Sequence, residues 1–167
     1  SAPHAAILYD KFHVLRHLNE AMDQVRKAEY QRLTNRPDRT YIKGQKYVLL
    51  SHRENLSPEK RRRLKTLLAA NKRLNTAYVM KEQFGQLWEY RREPWARKFF
   101  DQWRTSLRWQ RLKPLEKFAE LIERHWEGIT AYCQPENKVA LGFVEGLNNK
   151  IRVIQRRCYG IRDEDYL

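Results

Sequence analysis

Two cysteines, Cys133 and Cys158, are all that the 167-residue chain contains. That excludes a four-cysteine zinc site and a disulfide-stapled scaffold, and it fits a reducing compartment where both are ordinary thiols. Long apolar runs are missing too. No stretch approaches the roughly 20 residues needed to cross a bilayer, and no charged segment followed by an apolar one opens the chain as a signal peptide would. There is no Gly-rich phosphate loop, so nucleotide hydrolysis has no visible seat. No Gly-x-Ser-x-Gly elbow surrounds any serine, and a Ser/His/Asp or Cys/His catalytic set finds no support. The chain opens at Ser1 rather than at a methionine, as a piece of a longer protein would.

Acidic residues are scarce relative to basic ones, 20 Asp+Glu against 34 Lys+Arg, for a formal charge of +14. With 41% hydrophobic residues, 12% aromatic and five tryptophans, the chain can bury a core, and its length suits one domain. The charge is uneven. Residues 1–56 carry ten basic and six acidic side chains, 57–112 fifteen and five, and 113–167 nine and nine. Such an excess in the middle third favours a polyanion, nucleic acid before anionic membrane, because cations that meet phosphates release condensed counterions. A soluble basic protein with no dedicated partner is the plainer alternative.

Along the chain, Ala5-Ala6-Ile7-Leu8-Tyr9 reads as a short buried strand ending at Asp10. A helix follows, with Leu15, Leu18, Met22, Val25 and Leu33 on one stripe and Arg16, Glu20, Asp23 and Lys27 opposite. Asn35, Pro37 and Asp38 break it. Tyr47-Val48-Leu49-Leu50 reads as a second strand. Ser57-Pro58-Glu59 then has the form of a helix start, and a further helix is expected from about Lys72 to Arg92. Pro94 and Pro114 stand where two more begin, the first leading through Phe99, Trp103 and Leu107, the second through Phe118, Ile122 and Trp126. The last helix, from about Phe143 to Cys158, sets Phe143, Leu147, Ile151, Ile154 and Cys158 within roughly 80° of its circumference. Glu145, Asn149, Arg152 and Arg156 lie nearly opposite. The expected fold class is therefore mostly α with a few strands, α+β.

Candidate chemistry sits at four places, each with a plainer reading. Asp10 ends a buried strand, where ligand-binding residues collect in sheets flanked by helices, although an Asp there also simply caps the next helix. His13 and His17 share a helix face at the i, i+4 spacing that can chelate zinc, but no Glu follows the first His as in a zinc protease. Lys60, Arg61, Arg62 and Arg63 form a candidate phosphate-contact patch, or a solvated helix surface. Between Trp88 and Trp109 aromatics alternate with basic residues; most build a core, and an exposed one or two can stack on unpaired bases.

Taken together, some of these residues resemble a known family. Ile7-Leu8-Tyr9-Asp10-Lys11-Phe12-His13-Val14, with Asn19-Glu20-Ala21 and Val25-Arg26, is similar to the block around the second catalytic aspartate of DDE transposases of the ISL-three insertion-sequence family. Tyr47-Val48-Leu49-Leu50, Asn55-Leu56-Ser57, Tyr78-Val79-Met80-Lys81-Glu82 and Leu87-Trp88 resemble its middle. Phe143-Val144-Glu145-Gly146-Leu147-Asn148-Asn149-Lys150-Ile151-Arg152, running on to Arg156-Arg157-Cys158-Tyr159-Gly160-Ile161-Arg162, resembles the block that holds its catalytic glutamate.

The resemblance implies a partial RNase H-like core (strand, helix, strand) over residues 1–50, a basic all-helical insertion over 51–135, and a core helix and tail over 136–167. It implies DNA strand cleavage and transfer at insertion-sequence ends, with two Mg²⁺ (or Mn²⁺) ions held by carboxylates, among them Asp10 and Glu145. Asn149, Arg152 and Arg156 would then lie on the DNA side of their helix, with Lys60, Arg61, Arg62 and Arg63 as further DNA contacts and His13 as an active-site neighbour. Implied partners are transposon-end DNA and either a second copy or the N-terminal part of the transposase, with no membrane, in the bacterial cytoplasm and on the nucleoid when DNA-bound.

Two departures from the family pattern stand out. The family's first aspartate lies well upstream of the second, and only nine residues precede Asp10. Ala140-Leu141 replaces a polar Ser/Thr-Asn pair ahead of the glutamate's helix. The expectation is thus the C-terminal portion of a transposase, inactive alone; the alternative is a non-catalytic DNA-binding or assembly module derived from one.

Overall fold

The computed structural model describes residues 11–131. Among these the chain is helical throughout, with eight α-helices and no strand: α1 (Lys11–Arg32), α2 (Arg36–Gly44), α3 (Lys46–Leu50), α4 (Pro58–Ala70), α5 (Lys72–Phe84), α6 (Glu93–Leu107), α7 (Lys113–Arg124) and α8 (Trp126–Thr130). Single 3₁₀ turns at Arg53–Asn55 and Gly85–Glu89 complete the connections.

The α+β expectation is overturned here, and with it the RNase H-like core. Tyr47-Val48-Leu49-Leu50, read as a strand, is helix α3. Its turn is closed by Leu49 N–H on Gln45 C=O and Ser51 N–H on Tyr47 C=O, both at 3.1 Å. Val48 and Leu49 are buried while Tyr47 is 78% exposed. A four-residue apolar run has too few positions to separate period 2 from period 3.6, so β-branched and aromatic content alone suggested a strand. The strand expected at Ala5–Tyr9 lies outside the described residues.

α1 is the axis of the bundle and lies against α2, α3, α5 and α7. Its buried stripe is Val14, Leu18, Ala21, Met22 and Val25, with Leu15 at its edge. The stripe continues past Val25 in charged residues. Asp23, expected on the solvent face, is buried, as are Arg26 and Glu29. Burial of these charges is tolerated because each is paired. Asp23 accepts from Arg26 Nε at 2.8 Å and pairs with Lys27 at 3.2 Å. Desolvation pushes the Asp23 carboxyl up, but the hydrogen bonds from Arg26 and Lys27 outweigh it and leave its pKa below the usual value.

The remaining helices start where capping chemistry puts them. Ser57 Oγ accepts from Lys60 N–H at 3.4 Å and Pro58 opens α4. Asn71 Oδ1 accepts from Leu74 N–H at 2.9 Å at the head of α5. Pro94 and Pro114 stand in the first turns of α6 and α7. The helix expected to run on to Arg92 instead ends at Phe84 and tightens into the 3₁₀ turn at Gly85.

Phe84 is the centre of the aromatic core. It meets Trp88, Trp103 and Phe118 edge to face, at ring centroid distances of 6.4, 5.0 and 4.9 Å. Two buried indoles find acceptors that lock neighbouring helices. Trp103 Nε1 donates to Met80 C=O at 2.9 Å, tying α6 to α5, and Trp126 Nε1 donates to Glu93 at 2.9 Å, tying α8 to α6.

Candidate nucleic-acid interface

The basic run of α4 is divided by the helix it lies on. Leu64 and Leu67 face the core, so four consecutive cations at about 100° per residue cannot share one side. All four are exposed. Arg61 donates its guanidinium to Glu54 C=O, in the 3₁₀ turn ahead of α4, at 3.0 Å. Arg63 forms an ion pair with Glu59 one turn back. Lys60, Arg62 and Lys65 make no ion pair among the described residues, and they are the cations of this helix available to a polyanion.

A buried cation ties α3 to α5. Lys81 of α5 donates its ammonium to the carbonyls of Leu49 at 3.0 Å and Ser51 at 2.7 Å, and pairs with Glu82 at 3.1 Å. The Tyr78 ring lies 4.5 Å from the same ammonium. Burial lowers the Lys81 pKa, against the pull of Glu82. The Tyr78 hydroxyl is pushed up, chiefly by burial and then by Glu82. Carbonyls at the end of α3 are thereby fixed to α5, and α4 begins eight residues after Leu50. Between α4 and α5 runs an open groove of about 680 Å³. Its lining mixes Arg53, Arg61 and Lys65 with Glu54, Glu82 and Glu89, so its charge is balanced and gives no net attraction for phosphate.

α6 and α7 treat their basic residues differently. Arg97 and Arg104 both reach Glu123 of α7, at 2.8 and 3.0 Å, and Arg97 also pairs with Asp101. Burial alone lowers the Arg97 pKa, yet Glu123 and Asp101 more than reverse it and leave it raised. These two arginines, within the stretch where aromatics alternate with basic residues, are helix-to-helix ties. Arg91, Arg92, Lys98 and Arg108 make no ion pair among the described residues and are exposed.

His13 is exposed in the first turn of α1, its ring edge-on to Phe12 with centroids 6.1 Å apart. His17 hydrogen-bonds Glu20 at 3.1 Å. Among the described residues no three His, Cys, Asp or Glu side chains gather as a metal site. Asp10, Glu145, Asn149, Arg152 and Arg156 lie outside the described residues.

Sequence reasoning missed the Glu29 node. Glu29 pairs with Arg32 at 3.1 Å and Arg73 at 3.2 Å, and accepts from Asn71 at 3.2 Å. Its signal was present: Arg26 and Glu29 continue the apolar stripe of α1 at helical spacing, where only a paired charge is tolerated.

The pattern of the ISL-three DDE family, described as Transposase, matches residues 1–167. The chain belongs to the ISL-three family of transposases. It is 38% identical over 167 residues to the transposase for insertion sequence element IS1001 of Bordetella parapertussis. It is 25% identical over 187 aligned residues to the transposase for insertion sequence element IS1557 of Mycobacterium tuberculosis, strains CDC 1551 / Oshkosh and H37Rv. These alignments take in 99% of the chain and 41% of each relative. The transposase chain thus spans about two fifths of the length of the curated relatives it matches. No solved structure matches it. No helix among the described residues is long and apolar enough to cross a membrane.

Proposed function

We propose that this chain is the C-terminal portion of a DDE transposase that cleaves and transfers DNA strands at insertion-sequence ends. The observation that carries this reading is the family match along the whole of residues 1–167, which takes in the blocks around both Asp10 and Glu145. On this reading Asp10 and Glu145 are two of three metal-holding carboxylates, and a further one belongs upstream in the whole protein. Bound divalent ions, Mg²⁺ or Mn²⁺, would activate the attacking hydroxyl and neutralise the leaving oxygen. Carboxylates suit such hard, oxygen-seeking ions.

The described helices would grip DNA. Residues 57–112 carry fifteen basic side chains against five acidic ones. Lys60, Arg62 and Lys65 of α4 stand unpaired in solvent with Arg91, Arg92, Lys98 and Arg108, ready to neutralise phosphates. Asn149, Arg152 and Arg156 would extend this contact along the glutamate's helix. His13, three residues after Asp10 in sequence, would be an active-site neighbour.

The test is incubation of the chain with labelled insertion-sequence ends, with and without Mg²⁺, over a range of salt concentrations. Binding that weakens steeply with salt supports the reading. Binding without nicking, even when the upstream part of the protein is added, favours the non-catalytic DNA-binding or assembly module. Binding that ignores salt, or none, removes the DNA reading.

A further inference from the structure

Three of the five tryptophans, Trp88, Trp103 and Trp126, are buried, and the other two are not. Trp95 is 57% exposed and Trp109 is 85% exposed. Both stand on the same helical series. Ala96, Phe100, Trp103 and Leu107 turn α6 toward the core. Trp95, Lys98, Gln102 and Thr105 recur at alternate intervals of three and four residues on the opposite side, and Trp109 is the next position of that series, in the turn directly after α6. An indole at each end of a helix surface is a costly thing to leave in water, since each is a large apolar area with no core to fill.

The turn that carries Trp109 is held in place. Gln110 N–H bonds Leu107 C=O at 2.9 Å. Arg111 adopts φ 52°, the left-handed region that a non-glycine residue rarely takes, and its carbonyl accepts from Arg73 of α5 at 2.6 Å. Arg73 in turn is fixed by Glu29. A tie from the centre of the bundle therefore reaches the one turn that presents the most exposed aromatic among the described residues.

Cations surround both indoles. Lys98 lies 5.8 Å from the Trp95 ring, Arg91 and Arg92 precede α6, and Arg108 and Arg111 flank Trp109. This is the combination that binds an unpaired nucleic-acid strand: bases stack on aromatic faces while cations follow the phosphates. A paired duplex hides its base faces and gains from the cations alone.

We propose that the outer face of α6, from Trp95 to Trp109, is a stacking platform for an unpaired DNA strand. The inference rests on the DNA-processing reading above and specifies which form of DNA this face takes. The twelve residue steps of α6 from Trp95 to Leu107 rise about 18 Å, and Trp109 stands two residues further on in the turn, so a strand would reach from one indole to the other in about five to six stacked nucleotides.

The experiment compares a fluorescein-labelled single strand with the corresponding duplex by anisotropy, using the full chain, Trp95→Ala, Trp109→Ala and Trp109→Phe. Both positions are on the surface, so the variants should fold, and helix content checks it. Each alanine variant is expected to weaken binding of the single strand about tenfold, Trp109→Phe to keep most of the affinity, and duplex binding to change by less than about twofold. In the unmodified chain the strand should quench tryptophan emission, and at saturating strand Trp95→Ala and Trp109→Ala should each remove part of that quenching. Duplex binding that persists while single-strand affinity is unchanged in both alanine variants overturns the platform and leaves the DNA reading intact. Equal losses on strand and duplex overturn it as well. A dimer that Trp109→Ala dissociates without changing either DNA affinity assigns the face to a second copy instead. Failure of the unmodified chain to bind either DNA overturns the DNA reading, and the platform with it.

Discussion

Glu29, near the end of α1, and Asn71, at the head of α5, are joined by a side-chain hydrogen bond of 3.2 Å across 42 residues of sequence. The same Asn71 caps α5 through Leu74 N–H. A single amide thus starts one helix and fastens it to the bundle's central one. Asn71→Ala removes the cap and one partner of a buried carboxylate together, and should destabilise the fold by about 2 kcal/mol. Glu29→Ala strips Arg73 of its ion pair as well and should cost about 3 kcal/mol. Urea unfolding followed by circular dichroism measures both.

Acid stability should depend on Asp23. Its folded pKa lies below the usual carboxylate value of 3.8 because Arg26 and Lys27 overcome the cost of burial. The unfolded chain therefore takes up this proton first, so the stabilisation is present above pH 3.8 and is lost as the pH falls through the folded value. Melting temperatures recorded from neutral pH downward should drop on that limb, and Asp23→Asn should flatten it while lowering stability at neutral pH.

Lys81 and Tyr78 act at the other end of the pH scale. A lowered lysine pKa means that the unfolded chain holds more protons below 10.5, so stability should rise with pH toward that value. The raised Tyr78 pKa has the opposite sign, and its contribution falls above pH 10. Lys81→Met should abolish the rising limb. It also leaves the carbonyls of Leu49 and Ser51 without their buried donor, at a cost of about 2 kcal/mol. Urea midpoints taken between pH 7 and about 11 distinguish the two residues.

Phe84 is fully buried among Trp88, Trp103 and Phe118. Phe84→Ala should destabilise by about 4 kcal/mol, through lost burial and a cavity the bundle cannot close. Phe84 packs edge to face on the Trp103 ring at 5.0 Å, so its removal opens that indole to water, and tryptophan emission of the folded variant should lie to the red of the unmodified chain's. Thermal melts with emission spectra test both parts.

The α4 patch should not act as four equal charges. Arg62→Ala and Lys65→Ala each remove an unpaired cation, and each should reduce the slope of log affinity against log salt by about 0.9 for duplex DNA. Arg63→Ala breaks an ion pair with Glu59 and should change that slope far less. Salt titrations of the three variants on one duplex give the comparison.

Helix starts and most of the core were legible because proline, asparagine and serine act locally. Ser57, Pro94 and Pro114 stand where sequence reasoning put helix starts, and Leu18, Met22, Phe118 and Ile122 are buried as their spacing requires. Two features were not legible. Tyr47–Leu50 is too short to reveal its period, and its identity as helix comes from α1 and α4 on either side, a tertiary effect. Asp23 looked solvated because its partner Arg26 is one turn away on the same helix, and only the neighbouring helices show that the pair is covered. The basic excess was visible as a sum, but which cations are free depends on acids such as Glu123 that lie far off in sequence. Asp10 stood out at the end of an apolar run and Glu145 on the polar face of the last helix, their role as metal-holding carboxylates came from the resemblance, and both lie outside the described residues.

The proposal stands on those two carboxylates sharing one metal site, and proximity tests that without needing catalysis. Asp10→Cys and Glu145→Cys together, with Cys133 and Cys158 replaced by serine, give a chain whose only thiols are at the two positions. A bismaleimide that spans about 10 Å should then form an intrachain cross-link, since carboxylates that share ions roughly 4 Å apart must lie within that reach. Efficient cross-linking at low protein concentration, absent from either single-cysteine chain, is the expected result. A folded double variant that does not cross-link would contradict the catalytic assignment of Asp10 and Glu145.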